Sequence, residues 1–165
     1  MPPALMLVGW DVTEVKIVGN VQEATATYGP ALEECPKCGV VGRLYRHGTK
    51  TVEYRDAPAF GKQFVIRCKV QRFRCRDCNE TSMQPLPDMD TNRQMTKRCV
   101  AHIEQQGIPR TFADVARDIG VDEATVRSIC TAYFKEKMKG RKHVTEAPVA
   151  LGIDELMLDR RMRAI

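Results

Sequence analysis

The chain has 165 residues, 43% of them hydrophobic and 28% charged, with a formal net charge of +5. That length holds one domain or two small ones, and the composition is that of a folded globular protein rather than a disordered one. No run approaches the ~18 apolar residues of a membrane helix, and the opening MPPALMLVGWDV has neither a basic leader nor a small-residue cleavage site, so no membrane partner and no export signal are expected.

Residues 5–28 read as β-structure. Val15 and Ile17 alternate with Glu14 and Lys16, Gly19-Asn20 is a turn signal, and Ala24, Ala26 and Tyr28 continue the alternation. This is a hairpin or two short strands, ended by Gly29-Pro30. Next come two Cys-x-x-Cys pairs, CPKC at Cys35 and Cys38 and CRDC at Cys75 and Cys78. A tight turn places both thiolates of such a pair on one side, and two pairs make the closed tetrahedral site of a structural zinc. One zinc per chain is expected. Thirty-six residues separate the pairs, longer than the common zinc-finger spacing but suited to a ribbon with a long inner hairpin. Leu44–Tyr54 and Gln63–Phe73 read as its strands, with Ala57–Gly61 as the turn.

Seven cysteines, an odd count without an export signal, favour a reducing, cytoplasmic compartment over disulfides. A thioredoxin-type redox pair would need to open a helix in a βαβ unit, which neither pair does. A catalytic zinc would leave a coordination position open, and four thiolates leave none. Cys68 shares a strand face with Phe64, Ile66 and Val70 and reads as core, with zinc ligation as the lesser option. Cys99 and Cys130 fall on apolar helix faces. His47 is a further alternative ligand. Arg67, Lys69, Arg72, Arg74 and Arg76 form a basic cluster in and after the second strand, either a solvated face or a phosphate-binding one.

Residues 83–93 read as a linker, because two prolines and an Asp/Asn/Thr cluster break both periodicities. A helix is expected from about Gln94 to Gln106, striped by Met95, Cys99 and Ile103 and stopped by Gly107 and Pro109. Then TFADVARDIGVDEATVRSICTAYF, Thr111 to Phe134, reads as two helices about a tight turn. Thr111 and Asp122 cap them, and Gly120 ends the first. Val115, Ala116 and Ile119 face Val126, Ile129, Cys130 and Tyr133. This is a helix-turn-helix pattern, and with that face buried Glu123, Ala124, Thr125, Arg127, Ser128 and Thr131 become the candidate DNA-contacting residues. A hairpin that only packs is the alternative. The basic stretch that follows adds Lys139, Arg141 and Lys142, as phosphate contacts or as a solvated linker. Val149–Ile153 reads as a buried strand with Asp154 at its end, and a return strand begins near Arg161.

The ordered motifs CPKCG, YRDAPAFG (Tyr54–Gly61), VQRFRCRDC (Val70–Cys78), MTKR (Met95–Arg98), the helix-turn-helix and LGIDEL (Leu151–Leu156) resemble the N-terminal half of bacterial insertion-sequence transposases of the ISL-three type. The resemblance implies recognition of terminal inverted repeats by the zinc module and helix-turn-helix. It also implies an RNase-H-like domain using magnesium held by three carboxylates, and Asp154 falls on the first of them. The expected fold is α+β: a β-rich zinc-ribbon domain over residues 1–88, a three-helix DNA-binding domain over 89–143, and the start of an RNase-H-like hairpin over 144–165. With only the first carboxylate present, no catalysis is expected of these residues, and magnesium would matter only with a complete catalytic domain. The expected partner is double-stranded DNA, with a homodimer allowed and no small-molecule substrate. A standalone zinc-containing transcription regulator binding an operator is the second reading.

Overall fold

A computed structural model describes residues 7–90 and 92–139. The expectations for Arg141, Lys142, Asp154 and the hairpin of 144–165 lie outside the described residues. The order of elements is β1 (Trp10–Val18), β2 (Val21–Tyr28), β3 (Leu44–Ala59), β4 (Lys62–Cys75), β5 (Thr81–Met83), α1 (Lys97–Gln106), α2 (Phe112–Ile119) and α3 (Glu123–Met138). The architecture is a mixed α+β one, with a β-rich N-terminal part and three helices. No described helix is long and apolar enough to cross a membrane.

The two β regions form one sheet, ordered β1-β2-β4-β3, with β5 beside the far half of β4. β1 and β2 make the expected hairpin, and Gly19 supplies the positive φ (59°) that begins its two-residue turn. The parallel pairing of β2 with β4, Ala24 opposite Ile66 and Ala26 opposite Cys68, was not legible in the strand patterns. It follows from packing. Ala24 and Ala26 are fully buried, and their small side chains leave room for Trp10, Phe64, Ile66, Cys68, Val70 and Met89 in one core. Cys68 belongs to that core, and burial pushes its thiol up to about 12, so it stays a neutral apolar group.

β3 and β4 are longer than their patterns suggested. β3 runs through Ala59, and only Phe60 and Gly61 form the turn, both at positive φ. Pro58 is accommodated because the register slips between Asp56 and Ala59, where a missing amide hydrogen breaks no ladder bond. The stretch expected as a linker is also different. Residues 84–90 lie across the sheet. Met89 is buried, the buried Gln84 donates to the carbonyls of Tyr28 (2.8 Å) and Pro30, and Trp10 Nε1 donates to Asp88 at 2.7 Å. Prolines break the periodicity here without freeing the chain from the core.

A second core holds the helices: Met95, Cys99, Ile103, Val115, Ala116, Ile119, Val126, Ile129 and Cys130. Each fully buried aliphatic side chain contributes roughly 1.5–3 kcal/mol. α1 starts at Lys97, three residues later than expected. Thr96 caps it by accepting from the Cys99 amide, and the preceding residues are held by β3 instead. Gly107 is required by proximity, because a Cβ there would lie 2.3 Å from Cys130 Sγ on α3. Thr111 and Asp122 cap α2 and α3 as expected, and Gly120 ends α2 at φ 81°. Tyr133 is only half-buried and stands outside the core.

The sheet and the helices are joined at β3. The Arg55 amide donates to the Gln94 carbonyl (2.8 Å), and the Thr96 amide donates to the Arg55 carbonyl (2.9 Å). Beside this bridge the carboxylate of Asp56, 1% exposed, accepts from Thr96 Oγ1 (2.6 Å), the Ala57 amide (2.8 Å) and Arg98 Nε (2.8 Å), with Arg98 Nη2 on its second oxygen. On the opposite face of the sheet Gln63 donates to the Arg117 carbonyl at 2.9 Å.

Candidate metal centre and nucleic-acid surface

The four cysteines are placed by two turns of the same design. In the first, Gly39 takes φ 71°, its amide donates to the Cys35 carbonyl at 2.8 Å, and the Cys35 amide donates to the Val40 carbonyl at 2.9 Å. In the second, Asn79 takes φ 60° at the position matching Gly39, and the Cys75 amide donates to the Glu80 carbonyl at 3.0 Å. Asn is the non-glycine residue best suited to that backbone region. The antiparallel β3–β4 pair brings the two turns together, since Leu44 lies opposite Cys75. Arg43 and Asp77 tie them further at 3.1 Å.

The sulfurs converge. Cys35 and Cys78 are 3.7 Å apart, as are Cys38 and Cys75, and all four Sγ atoms lie within 4.8 Å of one another. Four sulfurs at ~2.3 Å around one tetrahedral zinc are separated by about 3.8 Å. The spacing is far beyond a disulfide bond of ~2.05 Å. Donor set and geometry therefore fit one structural zinc, with no position left for substrate. His47 is exposed and packs its ring against Tyr45, away from this cluster.

The electrostatics of the sulfurs agree with a cation site. The amides of Cys38 and Lys37 point at Cys35 Sγ and lower its pKa to about 7. At Cys38 the Val40 amide acts in the same direction, but burial and the three neighbouring thiols outweigh it and push the thiol up to about 12. Without a cation the Cys35 thiolate is favoured while the Cys38 and Cys78 thiols are pushed toward their protonated forms. A dication removes that conflict and deprotonates all four.

The basic cluster of β4 is divided. By strand alternation Arg72 and Arg74 lie on one face and Arg67 and Lys69 on the other, and Arg76 begins the turn after β4. Arg67 sits between Glu23 and Glu53 at 3.4 and 3.0 Å, so its charge is spent within the sheet. Arg72 is exposed. Arg74 is half-buried and donates to the Asn79 carbonyl at 3.1 Å, which braces the second zinc turn. Arg76 stacks over the Tyr45 ring.

On α3, Glu123, Ala124, Arg127, Ser128 and Thr131 are exposed. Ala124, Arg127, Ser128 and Thr131 line a single shallow concavity that Ala132 and Lys135 extend. Arg127 pairs with Glu123 one turn earlier and lies 5.7 Å from the centre of the Phe112 ring. Thr125 is less exposed than the rest of the expected set. It is half-buried, its amide and hydroxyl bond the Asp122 cap at 2.6 and 2.9 Å, and it faces a cleft shared with Tyr54, Arg55 and Val65 of the sheet. Lys139 closes α3 and pairs with Glu136 at 2.7 Å.

Asp56 and Arg98 were not among the expected site residues. A lone carboxylate within a strand carries no pattern. Both residues nevertheless sit in short motifs that carry the resemblance, YRDAPAFG and MTKR, and the fold brings those motifs into contact.

Residues 31–78 match the family described as the zinc-finger of transposase IS204/IS1001/IS1096/IS1165. The match spans both zinc turns and the β3–β4 ribbon between them. No curated protein and no solved structure gives a significant match to the chain. The zinc ribbon is thus of a transposase type, and such a module is consistent with DNA binding.

Proposed function

We propose that this protein binds double-stranded DNA sequence-specifically, recognising the terminal inverted repeats of a mobile element. In this reading α2 and α3 act as a helix-turn-helix and α3 lies in the major groove. The observation that carries it is the exposed strip of α3. Ala124, Arg127, Ser128 and Thr131 bear small or hydrogen-bonding side chains and no large apolar group, directly opposite the buried Val126–Ile129–Cys130 face. A strip of that kind fits base edges and has no use in apolar packing. The transposase-type ribbon upstream supports the same partner.

Each residue then has a separate task. Arg127 is the side chain suited to a bidentate contact with guanine O6 and N7. Glu123 holds it in the free chain, so binding exchanges a carboxylate for the base edge. Ser128 and Thr131 accept or donate within the groove. Arg72 on the ribbon and Lys135 and Lys139 along α3 meet phosphates, which position the protein without reading sequence. Binding alone is proposed, with no catalytic step.

The test compares Arg127→Ala with the parent chain over duplexes varied one base pair at a time. A loss of ~1–3 kcal/mol confined to one base pair is expected. Equal weakening on every duplex would remove Arg127 from base reading.

A further inference from the structure

β1 and β3 form the two edges of the four-strand path, and the three-residue β5 is a short further edge beside β4. The edge of β3 is bridged at Arg55 by residues 94–96 and otherwise carries Arg46, His47, Lys50 and Glu53, the kind of charged edge that resists pairing. Among the described residues nothing pairs with the outer edge of β1. Three of its last four residues are apolar and open to solvent, with Val15 43%, Ile17 61% and Val18 56% exposed.

The free hydrogen-bonding groups on that edge can be located. Val18 and Val21 close the two-residue turn at Gly19-Asn20, and the pair closing such a turn is hydrogen-bonded. Alternation then points the amides of Val18, Lys16 and Glu14 toward β2 and those of Ile17 and Val15 outward.

We propose that β1 is a self-association surface, on which β1 of a second copy pairs antiparallel about a two-fold axis at Val15. The charges select this register. Centred on Val15, it sets Glu14 opposite the partner's Lys16 and Lys16 opposite the partner's Glu14. Both are non-hydrogen-bonded pairs, in which cross-strand side chains come closest. Centring on Glu14 or on Lys16 sets like charges against each other, and centring on Ile17 sets Lys16 against Val18. Only the Val15 register matches charge with outward amides, and it also covers Val15 and Ile17. The slip between Val12 and Glu14 ends the pairing near Thr13 and keeps the contact short, so the dimer is of modest affinity. Lys16 already lies 3.6 Å from Glu23 and can serve both carboxylates. A two-fold dimer presents two α3 strips in inverted orientation, but the surface stands independently of the DNA reading.

The test uses the full zinc-loaded chain without DNA, by sedimentation over a wide concentration range. Reversible dimerisation is expected. Glu14→Lys and Lys16→Glu should each weaken it by about tenfold or more, because both symmetric pairs become repulsive. Glu14→Lys leaves the Lys16–Glu23 pair intact, so it remains informative if Lys16→Glu disturbs the hairpin. Mixing the two variants in equal amounts should restore the dimer, now as a heterodimer. A parent chain that stays monomeric at the highest concentration would overturn the proposal and give the edge to another occupant. Single variants that dimerise as well as the parent, or a mixture of folded variants that stays monomeric, would overturn it equally.

Discussion

The zinc end of the molecule and its helical end are stabilised by different means. From Gly29 to Lys50 only Cys35 is buried, and Val41 and Tyr45 are open to solvent. The helical end, over the longer stretch from Met95 to Cys130, buries nine residues in one core. A segment with so little apolar surface to hide cannot offset its own ordering entropy, and four converging sulfurs supply what the core does not. The helices need no such staple. Between the two ends stands the Asp56 node, which is neither metal nor oil but a buried carboxylate with its acceptors filled from two motifs.

The largest expected effect breaks this comparison at the zinc end. Structural zinc sites contribute roughly 10–16 kcal/mol in binding terms at neutral pH. Chelation, or Cys35→Ser or Cys75→Ser, should therefore disorder residues 29–50 and the adjoining ends of β3 and β4 while the helical signal in circular dichroism persists. Metal analysis of the parent should give one zinc per chain. Each ligand sheds a proton to bind, so acidification should release the metal, and a metal content unchanged in acid would count against thiolate ligation.

The next effect is at the node. Asp56→Asn removes the buried negative charge that Arg98 and Thr96 bond. It should cost ~2–4 kcal/mol, less than a fully buried pair because the Arg98 side chain is 39% exposed. Urea unfolding with zinc in excess measures it. A change under about 0.5 kcal/mol would show that the backbone bridge at Arg55 alone joins sheet and helices. Smaller again is Gly120→Ala. Its φ of 81° is strained for any side chain, and a Cβ would lie 2.3 Å from Gln63 Oε1, so about 1–2 kcal/mol should be lost. Because Gln63 can swing aside, the backbone strain sets most of that cost. Thermal unfolding of the variant would measure it.

The same contrast explains what the sequence makes legible. Thr111, Gly120 and Asp122 act within four residues of themselves, so the caps and the turn of the helices can be read directly. The zinc turns are local as well, and the Cys-x-x-Cys spacing exposes them. The parallel β2–β4 pairing is settled by packing between strands far apart in the chain, and no alternation within either strand encodes a neighbour. Prolines at 85 and 87 signal a break in periodicity but not the burial of Gln84 and Met89 on either side. The half-burial of Thr125 was not legible because helical spacing alone does not see the sheet that α3 begins against. The ion pairs of Arg67 were not legible because Glu23 and Glu53 reach it from neighbouring strands.

In the proposed function a metal-held ribbon and a three-helix unit together present α3 to DNA. Binding selection by the zinc-loaded chain from a pool of random duplexes tests it most directly. Enrichment of one sequence motif is expected, with affinity falling steeply as salt rises. Recovery of no motif, or binding indifferent to salt, would contradict it.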